Sequence, residues 1–309
     1  KGRDMRPFSC YNKNLKGSFA MKIIDSHLHL CQTEGFCRTA AFAHCENSMV
    51  YVQKEFAKNN IVMGIGMGNQ PFDTKDTAPL VCNLAGQMIL EPYNYPQNIA
   101  CCLGIAADKI TKENQKQMVD SFAQALACFH IVGLKVYAGY QPYDLLDWRY
   151  LPFYDLAAQM QVPVVIHAGD TANSKGLLKY AHPLLVDELA GHFPQTFFVI
   201  AHYGSPWLAD AAEVVCKNKN TAIDLSGLLA GPIDPDTVWR EQEGYFSLIR
   251  TWNQYMAIYD RLLYGSDWPL VPMAPYIEIM SRLIPARFQE DVFYHNARRI
   301  FTRIQPYTE

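Results

Sequence analysis

The chain has no run of 18 or more apolar residues, so it offers no ordinary membrane-spanning helix. Its first twenty residues lack the apolar centre of a secretory signal, and export is not expected. Neither sign of charge dominates: 27 Lys plus Arg stand against 30 Asp plus Glu, which removes any electrostatic reason to bind nucleic acid or an anionic membrane. The nine Cys show no C-x-x-C spacing, and their scatter through 309 residues suits small packing residues in a reducing cytoplasm. Phosphate-cradling motifs are missing too: Ile65 to Asn69 (IGMGN) is the nearest approach to a dinucleotide fingerprint and does not match it. No two-residue hairpin turn, Pro/Ser-rich linker, repeat or low-complexity tract divides the chain.

What is present is apolar and regular. Half the residues are hydrophobic and 18% are charged, enough to build a large core. Short β-branched runs recur at residues 22–24, 61–65, 99–105, 131–136, 162–166, 196–200, 221–225 and 262–264. Near-continuous apolar runs are how parallel strands read when both faces are buried. Helical patterns lie between them. One starts from Thr111 as N-cap and repeats through Met118, Val119, Phe122, Leu126 and Phe129. Another has Ser205 as cap, Pro206 at the first helical position, and Leu208, Ala211, Ala212 and Val215 on one face. Eight strands alternating with helices predict an α/β fold, a single-domain (β/α)8 TIM barrel over residues 21–309, preceded by an N-terminal tail at 1–20.

Titratable residues fall where such a barrel keeps its chemistry. His27 and His29 end the first strand two residues apart, and so project to one face. His167 ends the fifth strand, His202 the sixth and Asp267 the eighth. The C-terminal rim, where the loops open to solvent, is where a barrel builds its active site. Imidazoles with one carboxylate suit one divalent metal, Zn²⁺ first, with Mn²⁺, Fe²⁺ or Co²⁺ as alternatives. His44, His130, His182, His192 and His295 fall in or beside helices and read as exposed residues or structural caps.

These residues sit in the segments IIDSHLHL, VGLKVY, VPVVIHAGD, FVIAHYGS, LLYGSDWP and HNARRIF, which run in order from residue 23 to 301. In them the sequence resembles the amidohydrolase superfamily, and more closely the amidohydrolase-2 branch that includes aminocarboxymuconate-semialdehyde decarboxylase and its relatives. The resemblance implies that His27, His29 and His167 bind the metal, with Asp267 as ligand and proton acceptor and His202 as acid, base or polarising group. Other branches carry a carbamylated lysine at the end of the fourth strand. Lys135 holds that place here and is read as a substrate-anion contact or a structural group, with carbamylation bridging two metals the alternative. Tyr137 and Tyr140 are read as pocket lining or simple packing. Arg38 is a carboxylate contact or a solvated loop arginine, and Trp268 a pocket wall or a packing residue. Asn296 to Phe301 are expected to close the barrel.

The leading expectation is a metal-dependent hydrolase that turns an activated water on an amide, lactone or ester of a small molecule. A non-oxidative decarboxylase of a small carboxylic acid is the alternative, and a non-catalytic metal-binding barrel a third. The partner is then a small-molecule substrate, with neither nucleic acid nor membrane, and a homodimer is the default assembly. Residues 30–43 and 226–247 read as the longest irregular stretches, expected to cover the mouth.

Overall fold

Each of the eight apolar runs forms a strand, and all eight pair in sequence order in one parallel sheet. The computed structural model describes residues 21–31, 33–68, 96–127, 130–172 and 174–308. The strands are β1 (Ile23–Leu28), β2 (Ile61–Met67), β3 (Ile99–Gly104), β4 (Ile131–Val136), β5 (Val164–Ile166), β6 (Phe198–Ile200), β7 (Thr221–Asp224) and β8 (Leu262–Leu263). The helices are α1 (Glu34–Phe42), α2 (Met49–Asn59), α3 (Gln115–Ala125), α4 (Leu151–Met160), α5 (Leu184–His192), α6 (Leu208–Lys217), α7 (Pro235–Glu241), α8 (Glu243–Met256), α9 (Met273–Leu283) and α10 (Asn296–Ile300). Backbone bonds from Ser26 N to Tyr264 O (3.0 Å), Asp267 N to His27 O (2.8 Å) and His29 N to Trp268 O (2.7 Å) join the last strand's end to the first. The fold is a (β/α)8 TIM barrel.

Alternation along the strands sorts the core into two shells. Val164, Ile166, Phe198, Ile200, Ile223 and Leu262 pack outward among the helices, while Val165, Val199, Ala222 and Leu263 pack inside the barrel. The floor of the inner shell is supplied by Tyr294, Ala297, Ile300, Phe301 and Ile304. Asn296 fastens this segment with bonds to the carbonyls of Tyr259 and Leu262, both at 2.9 Å. The expected closing role of residues 296–301 therefore has a direct structural form. With one end plugged by apolar side chains, the opposite rim is left for polar groups.

Several local expectations are corrected. The helix expected from Thr111 starts at Gln115, because Asn114 N donates to Thr111 Oγ1 (3.3 Å) and Thr111 N to Asn114 Oδ1 (2.8 Å), a reciprocal turn that delays the helix. Phe129 lies outside the described residues, as does the expected tail at 1–20. Ser205 does not cap α6, which begins at Leu208 after Trp207; its hydroxyl accepts instead from Tyr245 at 2.9 Å.

The two stretches expected to be irregular contain α1 and α7, and α8 begins inside the second. Each of the first two helices starts with a side-chain cap: Thr33 Oγ1 accepts from Phe36 N (3.4 Å), and Asp234 Oδ1 from Thr237 N (2.9 Å), followed by Pro235 at the first helical position. The stretches also meet, since a Cβ placed on Gly231 would lie 2.6 Å from the Phe42 ring.

Candidate metal centre

The same strand parity that hides the valines delivers the polar side chains. Two residues beyond inward Val165 stands His167, two beyond Ala222 stands Asp224, and four beyond Leu263 stands Asp267. On β1 the register with β2 shifts between Asp25 and Leu28, the stretch that holds His27. Gly265 gives His27 room, since a Cβ there would fall 2.8 Å from the His27 Cβ. His202 and Asp267 hold left-handed backbones at φ 58° and 59°, beside Tyr203 at 53°. Such conformations cost non-glycine residues about 1–2 kcal/mol each, and backbone strain of this kind gathers at functional sites.

Within this group, His27 Nε2 is 3.7 Å and His29 Nε2 3.1 Å from Asp267 Oδ1, and His202 Nδ1 is 3.6 Å from Asp267 Oδ2. The donor atoms of His27, His29 and Asp267 all lie within 4.8 Å of one another. His167 stands outside that trio: its ring is 4.9 Å from the His202 ring, and its Nε2 lies 3.0 Å from the Asp170 carbonyl, which occupies that nitrogen. The remaining donor is its Nδ1.

Burial and charge set the protonation states. Burial alone would raise the Asp267 pKa, but the imidazoles of His202, His29 and His27 hold it well below the carboxylate range. Asp224 is likewise held low against its burial by His27, His202 and Ser226. Burial lowers His27, with the Lys135 charge adding to it, and lowers His167 strongly, with His202 adding. His202 is lowered to about 4 by burial, against the pull of Asp267. Lys135 is lowered to about 8 by burial, against Asp224 and Asp267. Burial raises Asp25 to about 7, against hydrogen bonds from Ser266. At neutral pH His27, His167 and His202 are therefore neutral beside ionised Asp267, the states that a metal requires of its ligands.

Among the described residues, His27 Nε2 has no hydrogen-bond partner, and Asp267 Oδ1, buried beside it, has only His29 Nε2 close by, at 3.1 Å. Two facing buried acceptors are costly unless something positive lies between them. A divalent cation fits that place by donor chemistry, with imidazole nitrogens and a carboxylate oxygen.

The other expected contacts are spread around this group. Lys135 is fully buried, and among the described residues its Nζ has no hydrogen-bond partner. Nζ lies 5.3 Å from the centre of the Tyr137 ring, whose hydroxyl donates to Gly68 O at 2.6 Å. Tyr140 packs edge-on against His167 at 4.8 Å. Trp268 is buried and stacks on Tyr51 of α2 at 6.5 Å, turned toward the helical layer. Arg38 lies on α1 with an exposed side chain paired to Glu34. His130 is buried with Nδ1 3.0 Å from the Ile99 carbonyl, a structural role, while His44, His192 and His295 are exposed.

Sequence reasoning missed Asp224, Ser226 and Phe36. Asp224 Oδ2 lies 2.8 Å from His27 Nδ1, and Asp224 Oδ1 accepts from His202 N and Ser226 N, both at 3.1 Å, and from the Ser226 hydroxyl. Its signal was available: Thr221–Asp224 ends in a carboxylate as the other site strands end in a titratable group. Phe36 stacks on His29 at 4.8 Å, a contact that depends on the Thr33 cap and has no sequence signal.

A family model described as Amidohydrolase matches residues 110–303. Among solved structures, an uncharacterized TIM-barrel protein from Bordetella bronchiseptica is similar at 20% identity and a TM-score of 0.68, over 92% of this chain and all of that one. A probable 2-pyrone-4,6-dicarboxylic acid hydrolase from Acinetobacter baumannii matches at 18% and 0.59, over 91% of this chain and all of its own. A 5-carboxyvanillate decarboxylase from Sphingomonas paucimobilis matches at 14% and 0.59, over 92% and 99%. At these identities the likeness is one of fold. No curated protein matches the chain. Among the described residues no helix is long and apolar enough to cross a membrane.

Proposed function

The chain belongs to the amidohydrolase family, and from that premise we propose that it is a divalent-metal-dependent hydrolase of a small-molecule lactone, ester or amide. The observation that carries this reading is the buried pair His27 Nε2 and Asp267 Oδ1, not bonded to one another, with His29 Nε2 beside them. These three would hold the ion, zinc by preference for such donors, and His167 would add its Nδ1. A bound divalent ion supplies Lewis-acid polarisation of the substrate and lowers the pKa of water to about 7.

The chain's own groups supply the rest. Asp267, held ionised by its imidazole neighbours, takes the proton of the attacking water and later returns it to the leaving group. His202, neutral at pH 7 and 3.6 Å from that carboxylate, exchanges a second proton with the substrate. Phe36, stacked on His29, and Tyr140, edge-on to His167, limit water around the reacting atoms.

Lys135 favours a second reading. A buried ammonium with no hydrogen-bond partner among the described residues beside the centre suits a carboxylated substrate, and with it decarboxylation, the activity that the Sphingomonas structure is named for. Incubating zinc-loaded protein with lactones, amides and aromatic carboxylates in ¹⁸O-water separates the two. Label in a newly formed acid supports hydrolysis. Carbon dioxide release with no label in the organic product replaces it with the second reading.

A further inference from the structure

We propose that Asp224 and Ser226 act together as a positioning device that fixes the tautomers of His27 and His202, so that each ring presents an unprotonated Nε2 to the site. The protons around two hydrogen-bonded groups decide it. An ionised carboxylate only accepts, so the 2.8 Å contact from Asp224 Oδ2 to His27 Nδ1 requires a proton on Nδ1. His27 Nε2 is then a bare lone pair, at the atom that faces Asp267 Oδ1 without a partner.

For His202 the assignment passes through the serine. The Ser226 hydroxyl has one proton and gives it to Asp224 Oδ1 in a short contact, so toward His202 Nδ1, 2.9 Å away, it can only accept. The other groups near that nitrogen are the Ser226 carbonyl at 3.3 Å and Asp267 Oδ2 at 3.6 Å, and both are acceptors. Among the described residues three acceptors and no donor surround Nδ1, so it carries the hydrogen. Nε2 is the nitrogen left open to a substrate.

The consequence bears on mechanism. Neutral His202 cannot donate from Nε2 to a substrate carbonyl; it must accept a proton before it can give one, while Asp267 receives the proton of the attacking water. The same carboxylate also receives His202 N, and so helps hold the left-handed backbone that aims the ring. Asp224 thus ties a metal donor and a proton-transfer group to one anchor, as partners behind metal-bound histidines do.

This inference rests on the reading above, in which His27 holds the metal and His202 works on the substrate, but the tautomers can be read without either. Full-length protein labelled with ¹⁵N-histidine and stripped of metal would be examined at pH 7 by long-range ¹H–¹⁵N correlation, with His27→Gln and His202→Gln used for assignment. Both residues are expected with the proton on Nδ1. Ser226→Ala should move His202 toward the other tautomer and leave His27 unchanged. Asp224→Asn should invert His27. The donors gathered at Oδ1 claim the amide oxygen, which leaves the NH₂ facing Nδ1 and forces the proton onto Nε2.

Titration with Zn²⁺ alone gives the second readout. Asp224→Asn should weaken binding about 10–100-fold, and Ser226→Ala should leave it within about twofold, because His202 is not a donor. A wild-type His202 with its proton on Nε2 would overturn the proposal, and so would an Asp224→Asn protein that keeps both its His27 tautomer and its zinc affinity. Should that variant fail to fold, the wild-type and Ser226→Ala spectra decide alone. Wild-type protein that binds no zinc would remove the function proposed above, while the tautomers of the metal-free protein would still uphold or defeat this inference.

Discussion

His27 Nε2 and Asp267 Oδ1 confront each other at 3.7 Å, both buried and not bonded to one another. They come from strands at opposite ends of the sequence, brought together where β8 closes on β1. A barrel that placed these atoms only for stability would be expected to fill the gap with a donor. The relationship makes sense as two ligands awaiting one cation, and the expected outcomes below follow from it.

Asp267→Asn keeps the side chain's shape and removes its capacity to take a proton. Turnover should fall at least about 100-fold, the usual worth of a positioned acid–base group. Steady-state rates at saturating zinc and substrate, with circular dichroism to confirm the fold, provide the check. Full activity in a metal-loaded variant would contradict the role.

Gly227 has φ +62°, and a Cβ there would stand 2.7 Å from both Asp267 Oδ2 and His202 Nδ1. Gly227→Ala should therefore lose about 1–2 kcal/mol to the left-handed backbone. It should also lose about 100-fold in rate, because the inserted methyl pushes apart two groups whose spacing matters. Thermal melts and kcat measure the two effects separately.

Acid should destabilise the metal-free protein. His27, His167 and His202 stay neutral in the native state while an unfolded chain protonates them near 6.5, so between pH 6.5 and about 4 the unfolded state binds more protons. Stability then falls as pH falls through that window. Asp25 opposes this, since it keeps its proton natively up to about 7, but it is one group against three. Below that window Asp224 and Asp267, depressed natively, add to the loss. Urea midpoints at pH 7, 6 and 5 should decline in that order.

Lys135→Met removes the buried charge and keeps the length of the chain. If the ammonium meets a substrate anion, KM for carboxylated substrates should rise about 10–100-fold, the worth of a charge-assisted hydrogen bond, while neutral lactones are unaffected. An equal loss on both substrate types would make Lys135 a structural group.

Much of this arrangement is written locally in the chain. The strands were legible because burial on both faces leaves nearly unbroken apolar runs, and parity then aims His167 and Asp267 inward without further information. Asp224 was not singled out because its meaning lies in a partner 197 residues away, and an aspartate after a short strand has many other uses. Phe36 and the true start of α3 depend on single capping bonds, which compete with helix periodicity on nearly equal terms. His29 and His202 could be named from spacing, yet their separation from Asp267 depends on the β1–β8 seam and on two left-handed residues, which no periodicity encodes.

The central claim is that His27, His29 and Asp267 hold one cation, and elemental analysis of the purified protein beside a His27→Ala/His29→Ala variant tests it most directly. The account predicts about one equivalent of zinc or another divalent transition metal in the wild type and none in the variant. A wild-type protein that stays metal-free after zinc supplementation, or a variant that retains its metal, would contradict it.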